Sequence, residues 1–343
     1  MESLRSFRRR LGSSRRLAPL KNAYDQVRSV LLTLGAFLPP KFEDKLVGPA
    51  PELAPDIKLL VATSVGLFQI TDQQIRMLLR GEFYGITEHR DAWIAFEKCG
   101  RLGRLLSLFY PPSSSEDPKR RGWISVSLKG LSRGVHQIDS IGDRLLLADT
   151  YNNRVLVASP VESGSRAFRI IDRIYPAGPL RQEGRKSENY VHLNSLFQNG
   201  DELFILFHNE TKKTGKRSEI CTYDLRRGMV RERRVLDAGA GHNVVPWKGE
   251  LLCCDSLGGR LMLGNTPVFS ADSFLRGLAV TEDLILVGGS ELAGRRDRRI
   301  GTGVIFILNH GFDLLDKLEL PGAVHEIRHQ SGNDYGMSSF APD

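Results

Sequence analysis

The chain has 343 residues, 41% apolar and 26% charged, with a formal net charge of +8. Residues 1–28 hold eight basic and two acidic side chains, leaving the remainder nearly neutral, which argues against a broadly basic nucleic-acid-binding body. The four cysteines, Cys99, Cys221, Cys253 and Cys254, form no C-x-x-C pair and read as reduced core thiols, so no disulfide framework is expected.

From the start of the chain, residues 1–56 read as a basic arm and linker. Val27, Val30, Leu31 and Leu34 lie at helical spacing, so the arm is expected to be helical or partly disordered, and the stretch from Pro39 to Pro55 is a Pro-rich linker. The first apolar run, Val30 to Leu38, is interrupted by Thr33 and Gly35 and is too short to span a bilayer. No secretory signal is read, and the expectation is a cytoplasmic protein. The Arg-rich arm offers peripheral attachment to an anionic membrane surface or an acidic protein.

After Asp56 the pattern changes to short apolar runs separated by Gly, Asp and Asn: IKLLVAT, GLFQI, DAWIAF, DRLLLAD, NRVLVAS, ELFILF, GELLCCD, DLILVGG and GVIFILN. These are strands joined by close turns. They are organised as a repeat. HQIDSIGDRLLLADT from His136, HNVVPWKGELLCCDS from His242 and RGLAVTEDLILVGGS from Arg276 share one frame: a polar first residue, a central turn, then an apolar strand. YGITEHRDAWIAFEK from Tyr84 fits it, HLNSLFQNGDELFILFHN from His192 fits with a longer turn, and a partial copy begins at His325. The six unit starts are 52, 56, 50, 34 and 49 residues apart. That spacing suits four-stranded propeller blades, the repeated unit being the inner two strands.

The predicted fold is therefore all-β, a six-bladed β-propeller over residues 57–330 with a C-terminal tail at 331–343. The last copy lacks its outer strands, and residues 57–80 supply them, because LLVATS resembles LLCCDS. One blade shared between the two ends of the chain closes the ring and leaves no open sheet edge. A coincidental repeat in an open sandwich is the competing reading.

The innermost strands of a propeller surround its central channel, so one register position becomes one ring in space. His136, His192, His242 and His325, with Tyr84 and Arg276, are expected to meet there. His136, His242 and His325 fall on alternate blades, an approximate three-fold arrangement that suits one divalent metal, Zn or Fe, with an open position. His192 is then a fourth ligand or a proton-transfer group, Tyr84 a hydrogen-bond donor or general acid/base, and Arg276 a partner for an anionic group. A metal-free, hydrogen-bonded histidine channel is the alternative. His89 and His310 are expected to be exposed, and His208 to line the mouth or to hydrogen-bond a turn.

DTYNNRVLVAS, after Asp149, resembles the second-to-third strand turn of NHL-type propeller repeats. The arrangement as a whole is similar to the lyase propeller that completes peptide C-terminal amidation, the peptidyl-hydroxyglycine lyase. That resemblance implies a Zn site on His136, His242 and His325, with Tyr84 and Arg276 beside it. The family is secreted and disulfide-bonded, which this sequence does not suggest, so the metal tripod carries over and the reaction does not. The carotenoid-cleaving oxygenases, propellers holding iron by four histidines, share the histidine count.

Gly239–Ala240–Gly241 reads as a turn, since no helix pattern follows, and no nucleophile-elbow motif surrounds Ser195 or Ser256. The basic clusters at 226–234 and 295–299 read as solvated loop charge or as a surface for an acidic partner, and no specific nucleic acid is implied. Two functions follow. One is a metal-dependent enzyme, a lyase, hydrolase or oxygenase, acting on a small organic molecule at the channel mouth. The other is a non-catalytic interaction platform.

Overall fold

The computed structural model describes residues 42–50, 57–71, 74–109, 123–181, 187–292, 300–330 and 332–340, together with Gln26, Val27, Val30 and Pro40. The Arg-rich arm and the basic run 295–299 lie outside the described residues.

Twenty-five strands form six sheets among the described residues. In chain order, β1 (Lys45–Pro49), β2 (Leu59–Thr63), β3 (Gly66–Ile70) and β4 (Gln74–Arg80) come first. Blade one follows with β5 (Phe83–His89), β6 (Ala92–Cys99), β7 (Leu102–Phe109) and β8 (Trp123–Ser132). Blade two holds β9 (Val135–Ile141), β10 (Arg144–Asp149), β11 (Arg154–Pro160) and β12 (Phe168–Ile174). Blade three holds β13 (Leu193–Asn199), β14 (Glu202–Phe207), β15 (Glu219–Asp224) and β16 (Met229–Val235). Blade four holds β17 (His242–Trp247), β18 (Glu250–Asp255), β19 (Arg260–Leu263) and β20 (Thr266–Ser270). Blade five holds β21 (Leu278–Val280), β22 (Leu284–Ser290), β23 (Thr302–Asn309) and β24 (Leu314–Pro321). The last strand, β25 (Val324–His329), pairs antiparallel with β2, from Leu59↔His329 to Thr63↔Val324. The fold is thus the six-bladed propeller expected, closed by strands from both ends of the chain.

Each blade is buried on both faces, and strand periodicity shares its side chains between two neighbours. On β6, Ile94 and Phe96 pack toward blade two with Ile138 and Leu147, whereas Trp93 and Ala95 pack toward the closing blade with Leu60 and Ala62. This two-sided burial is why the strands read as continuous apolar runs rather than alternating ones. The short 34-residue interval between units four and five has a local cause: β19 and β20 have only four and five residues. Inner strands approach so closely that a Cβ on Gly85 would lie 2.5 Å from the backbone N of Ile138.

Two segments differ from the sequence reading. The stretch from Pro39 to Pro55 is read as a linker, but Lys45–Pro49 pairs with β4 and makes the closing blade five-stranded. Leu46 and Val47 on this outermost strand stay exposed, so apolar periodicity gives little sign of it. Residues 331–343 read as a tail, yet Asp334 and Met337 are fully buried. Beyond β25 the chain crosses the ends of several inner strands. The Asp334 carboxylate accepts from Val280 N at 3.3 Å and His329 N at 3.0 Å, and Tyr335 N donates to Val280 O at 2.7 Å. Ser338 N reaches Asp139 at 3.2 Å, and the Ser338 hydroxyl accepts from Gln198 N at 2.7 Å. The segment therefore stops one end of the channel. Among the described residues no helix is long and apolar enough to cross a membrane.

Candidate functional site

The first residues of the inner strands meet at the opposite end of the channel, and their rings form a collar. Tyr84 lies between two imidazoles, stacked on His325 at 4.1 Å and on His136 at 5.2 Å between centroids. The collar continues edge-on from His136 to His192 at 5.3 Å, stacked from His192 to His208 at 4.4 Å, and edge-on from His208 to His242 at 5.4 Å. Phe274 follows His242 at 5.7 Å. The half-buried Arg276 guanidinium, from the chain entering blade five, lies 4.9 Å from the Tyr84 ring of blade one. It therefore reaches past the closing blade, and its charge acts on His136 and His242 as well. All six register positions are brought together, and His208 joins them.

Three of the collar imidazoles, those of His208, His242 and His325, have a backbone partner that orients the ring. His242 Nδ1 donates to Ala240 O at 2.9 Å and contacts Ser256 Oγ at 2.8 Å. His325 Nδ1 donates to Phe83 O at 2.6 Å. A carbonyl only accepts, so Nε2 carries the lone pair in each neutral ring. His208 Nδ1 accepts from Glu210 N at 2.9 Å, which puts its proton on Nε2. His136 Nδ1 is buried with no hydrogen-bond partner among the described residues. Burial, then the Arg276 charge, then neighbouring imidazoles push His136 and His242 well below the usual histidine range, so both are neutral at pH 7. His192 sits at φ 51°, in the left-handed region, with Nδ1 3.1 Å from the Tyr190 hydroxyl and 3.6 Å from Glu210.

The Tyr84 hydroxyl acts as a hydrogen-bond donor, to Glu82 at 3.0 Å, and Glu82 also pairs with the buried Lys98 at 2.8 Å. The ring itself is the contribution of Tyr84, as a spacer between His136 and His325. This bears on the metal tripod. Among the described residues, no three His, Cys, Asp or Glu side chains form a group that could hold a metal ion. The Nδ1 hydrogen bonds of His242 and His325 aim the Nε2 of each neutral ring at the channel side, while the Tyr84 ring lies between His136 and His325 and Arg276 brings a positive charge among the rings.

Sequence reasoning missed Glu326, the neighbour of His325. Its carboxylate is 1% exposed, accepts from Asn243 Nδ2 at 3.1 Å and pairs with Arg328 at 3.1 Å. Burial raises it to about 7 against the pull of Arg328 and Arg276, which makes it a proton acceptor near neutrality. Its signal was an acid directly after a register histidine. His89, expected exposed, is 5% exposed at the end of β5, while His310 is half-buried and bonds Thr281 O at 3.1 Å.

All four cysteines are free and buried, as expected of core thiols, and burial pushes Cys253 up to about 12. Four of the five arginines of the 226–234 cluster face carboxylates, and Arg233 donates to Pro176 O at 2.9 Å. Arg226 meets Asp201 at 2.7 Å, Arg227 meets Asp224 at 3.3 Å, Arg231 meets Glu202, and Arg234 meets Glu250 at 3.8 Å.

No protein-family model matches the chain, and no curated protein matches it. Solved structures do. A chain of a nidogen–laminin complex aligns at TM-score 0.56 and 10% identity, over 81% of this chain and 100% of that one. A Lactobacillus plantarum protein aligns at 0.52 and 10%, over 80% and 99%. A candidate 6-phosphogluconolactonase from Bacteroides fragilis aligns at 0.51 and 11%, over 81% and 98%. At such identities the likeness is one of fold alone.

Proposed function

We propose that the chain is an enzyme acting on a small organic anion at the histidine-lined end of its channel. One observation carries this reading: a guanidinium, Arg276, is held among neutral imidazoles above a buried carboxyl. Arg276 takes the anionic group of the substrate and stabilises charge that develops on it. His136, with its unpaired buried Nδ1, and His242, with its Nε2 lone pair, accept or relay protons. Glu326 beneath them stores a proton near pH 7. This acid/base set serves hydrolysis or elimination equally. Similar folds include a chain of a nidogen–laminin complex and a candidate 6-phosphogluconolactonase, so the architecture does not choose between binding and catalysis.

The test is a thermal-shift and turnover screen of small carboxylates, phosphate esters and lactones, run on the wild type, Arg276→Ala and His242→Ala. The reading expects at least one anion to stabilise the wild type and to lose that effect in Arg276→Ala. No stabilising anion, or stabilisation that survives Arg276→Ala, overturns it.

A second reading keeps Zn or Fe on His136, His242 and His325, and the Nδ1 hydrogen bonds of His242 and His325 favour it. Elemental analysis after incubation with each metal decides it: stoichiometric metal lost in His136→Ala and His242→Ala supports it, and a metal-free protein ends it. The platform reading has less support, because four of the five arginines at 226–234 already face carboxylates of the propeller itself.

A further inference from the structure

At the stopped end of the propeller, away from the collar, a cleft of about 370 Å³ opens between blades one and two. The turn after β5 and the turn before β12 form its sides. Its floor is the apolar surface of Ala92, Ile94 and Phe168, and its rim carries Arg90, Asp91 and Arg166. His89 lines it with the ring edge-on to Phe168 at 5.2 Å. His89 Nδ1 is bonded to Ser140 Oγ at 2.8 Å, while its Nε2 is buried with no hydrogen-bond partner among the described residues. A buried, unsatisfied imidazole nitrogen in the wall of a cavity costs stability unless something else uses it.

The two rim guanidiniums are positioned but weakly engaged. Arg166 lies 4.1 Å from the Phe109 ring and 4.5 Å from the Trp123 ring, two rings stacked on each other at 3.9 Å. That platform fixes the guanidinium, whose carboxylate partner, Asp91, is 3.4 Å away and 71% exposed. Arg90 pairs at 2.7 Å with Asp143, itself 73% exposed. Exposed ion pairs of this kind contribute little, so both arginines can exchange a carboxylate for a better-placed oxyanion.

We propose that this cleft is a second ligand site, for a small organic phosphate, independent of the collar. The phosphate sits at the rim on Arg90 and Arg166, where a tetrahedral oxyanion uses several guanidinium N–H groups at once. The organic part lies against Phe168 and Ile94. His89 Nε2 meets a polar atom of the ligand at the inner end, which satisfies the orphaned nitrogen.

The test uses phenyl phosphate, benzoate and inorganic phosphate as probes in isothermal titration calorimetry of the full chain. Phenyl phosphate is expected to bind with millimolar affinity or better and more tightly than either other probe. Its affinity falls at least about tenfold in Arg166→Ala. Arg276→Ala removes the anion-binding group of the collar, so the titration is repeated in that background, where binding that depends on Arg166 is expected to persist and stands or falls separately from the proposed reaction. His89→Gln, which keeps a polar group, weakens binding less than His89→Ala; if His89→Ala does not fold, Arg90→Ala and Arg166→Ala still decide the matter. No saturable binding, benzoate binding as tightly as phenyl phosphate, or loss of binding in Arg276→Ala but not in Arg166→Ala overturns the proposal.

Discussion

A neutral imidazole buried beside a guanidinium ties stability to pH in a definite direction. His136 and His242 have folded-state pKa values below their unfolded value, so the unfolded chain binds more protons as pH falls below about 6.5. Their contribution is full above that pH and declines below it. Glu326, raised to about 7, and Asp139, raised to about 6, act in the opposite sense. Theirs is full below the unfolded carboxyl range and is lost as pH rises through the folded values. The histidine part is isolated by substitution. The destabilisation of His136→Asn relative to wild type, from urea unfolding, should be greatest near pH 7 and shrink toward about pH 5. A difference constant over that range would show that His136 is not held neutral. At this scale the sequence is legible where a repeat multiplies it: one register position, seen in six units, places Tyr84, His136, His192, His242, Arg276 and His325 in one ring. It is illegible for His89 and Glu326, whose burial depends on how neighbouring blades dock. It does not foretell that the Tyr84 ring stacks on imidazoles at both of its faces, since that depends on how blade one docks against its two neighbours.

Elements outside the repeat carry more of the structure than their composition suggests. The crossing segment after β25 is polar and short, which reads as a tail, yet it buries Met337 against Thr87, bonds the Asp139 carboxylate of β9, and satisfies backbone groups on β13, β21 and β25. Met337 is fully buried, so Met337→Ala should cost about 2–5 kcal/mol in urea unfolding, as for other buried large-to-Ala changes. A cost near zero would mean that the segment merely rests on the channel. Close approach between inner strands makes a second prediction. Gly85→Ala places a methyl group 2.5 Å from Ile138 N, and backbone cannot yield as a side-chain tip does. The expected loss is about 1–3 kcal/mol, the usual range for overpacking. Strand β1 escaped the sequence reading for a related reason: an outermost strand with one exposed face lacks the two-sided apolar run that marks the others, and a Pro-rich neighbourhood masks what remains.

The whole ring depends on one junction. Every other blade is built from consecutive strands and can form from local chain, but the closing blade joins β25 to β2 across almost the entire described length. Until that pairing forms, both chain ends present unpaired strand edges, and β2, with all five residues buried in the finished fold, is an apolar one. A chain ending at Pro321 retains five complete blades and lacks the inner strand of the sixth together with the crossing segment. It is expected to aggregate, or to pair with a second copy through the free edge of β2, when examined by sedimentation velocity. A chain ending at Gln330 keeps β25 and loses the crossing segment. It should remain monomeric and cooperative while unfolding at lower urea, because the hydrogen bonds along β2 and β25 survive and the contacts of the crossing segment, those of Asp334, Tyr335, Met337 and Ser338 among them, are lost. If the Pro321 variant were instead soluble, monomeric and cooperative, the blades would be stable as an open arc. The collar would then lose its reason for being rigid, since Tyr84 keeps His136 and His325 apart only while blade one and the closing blade are locked together.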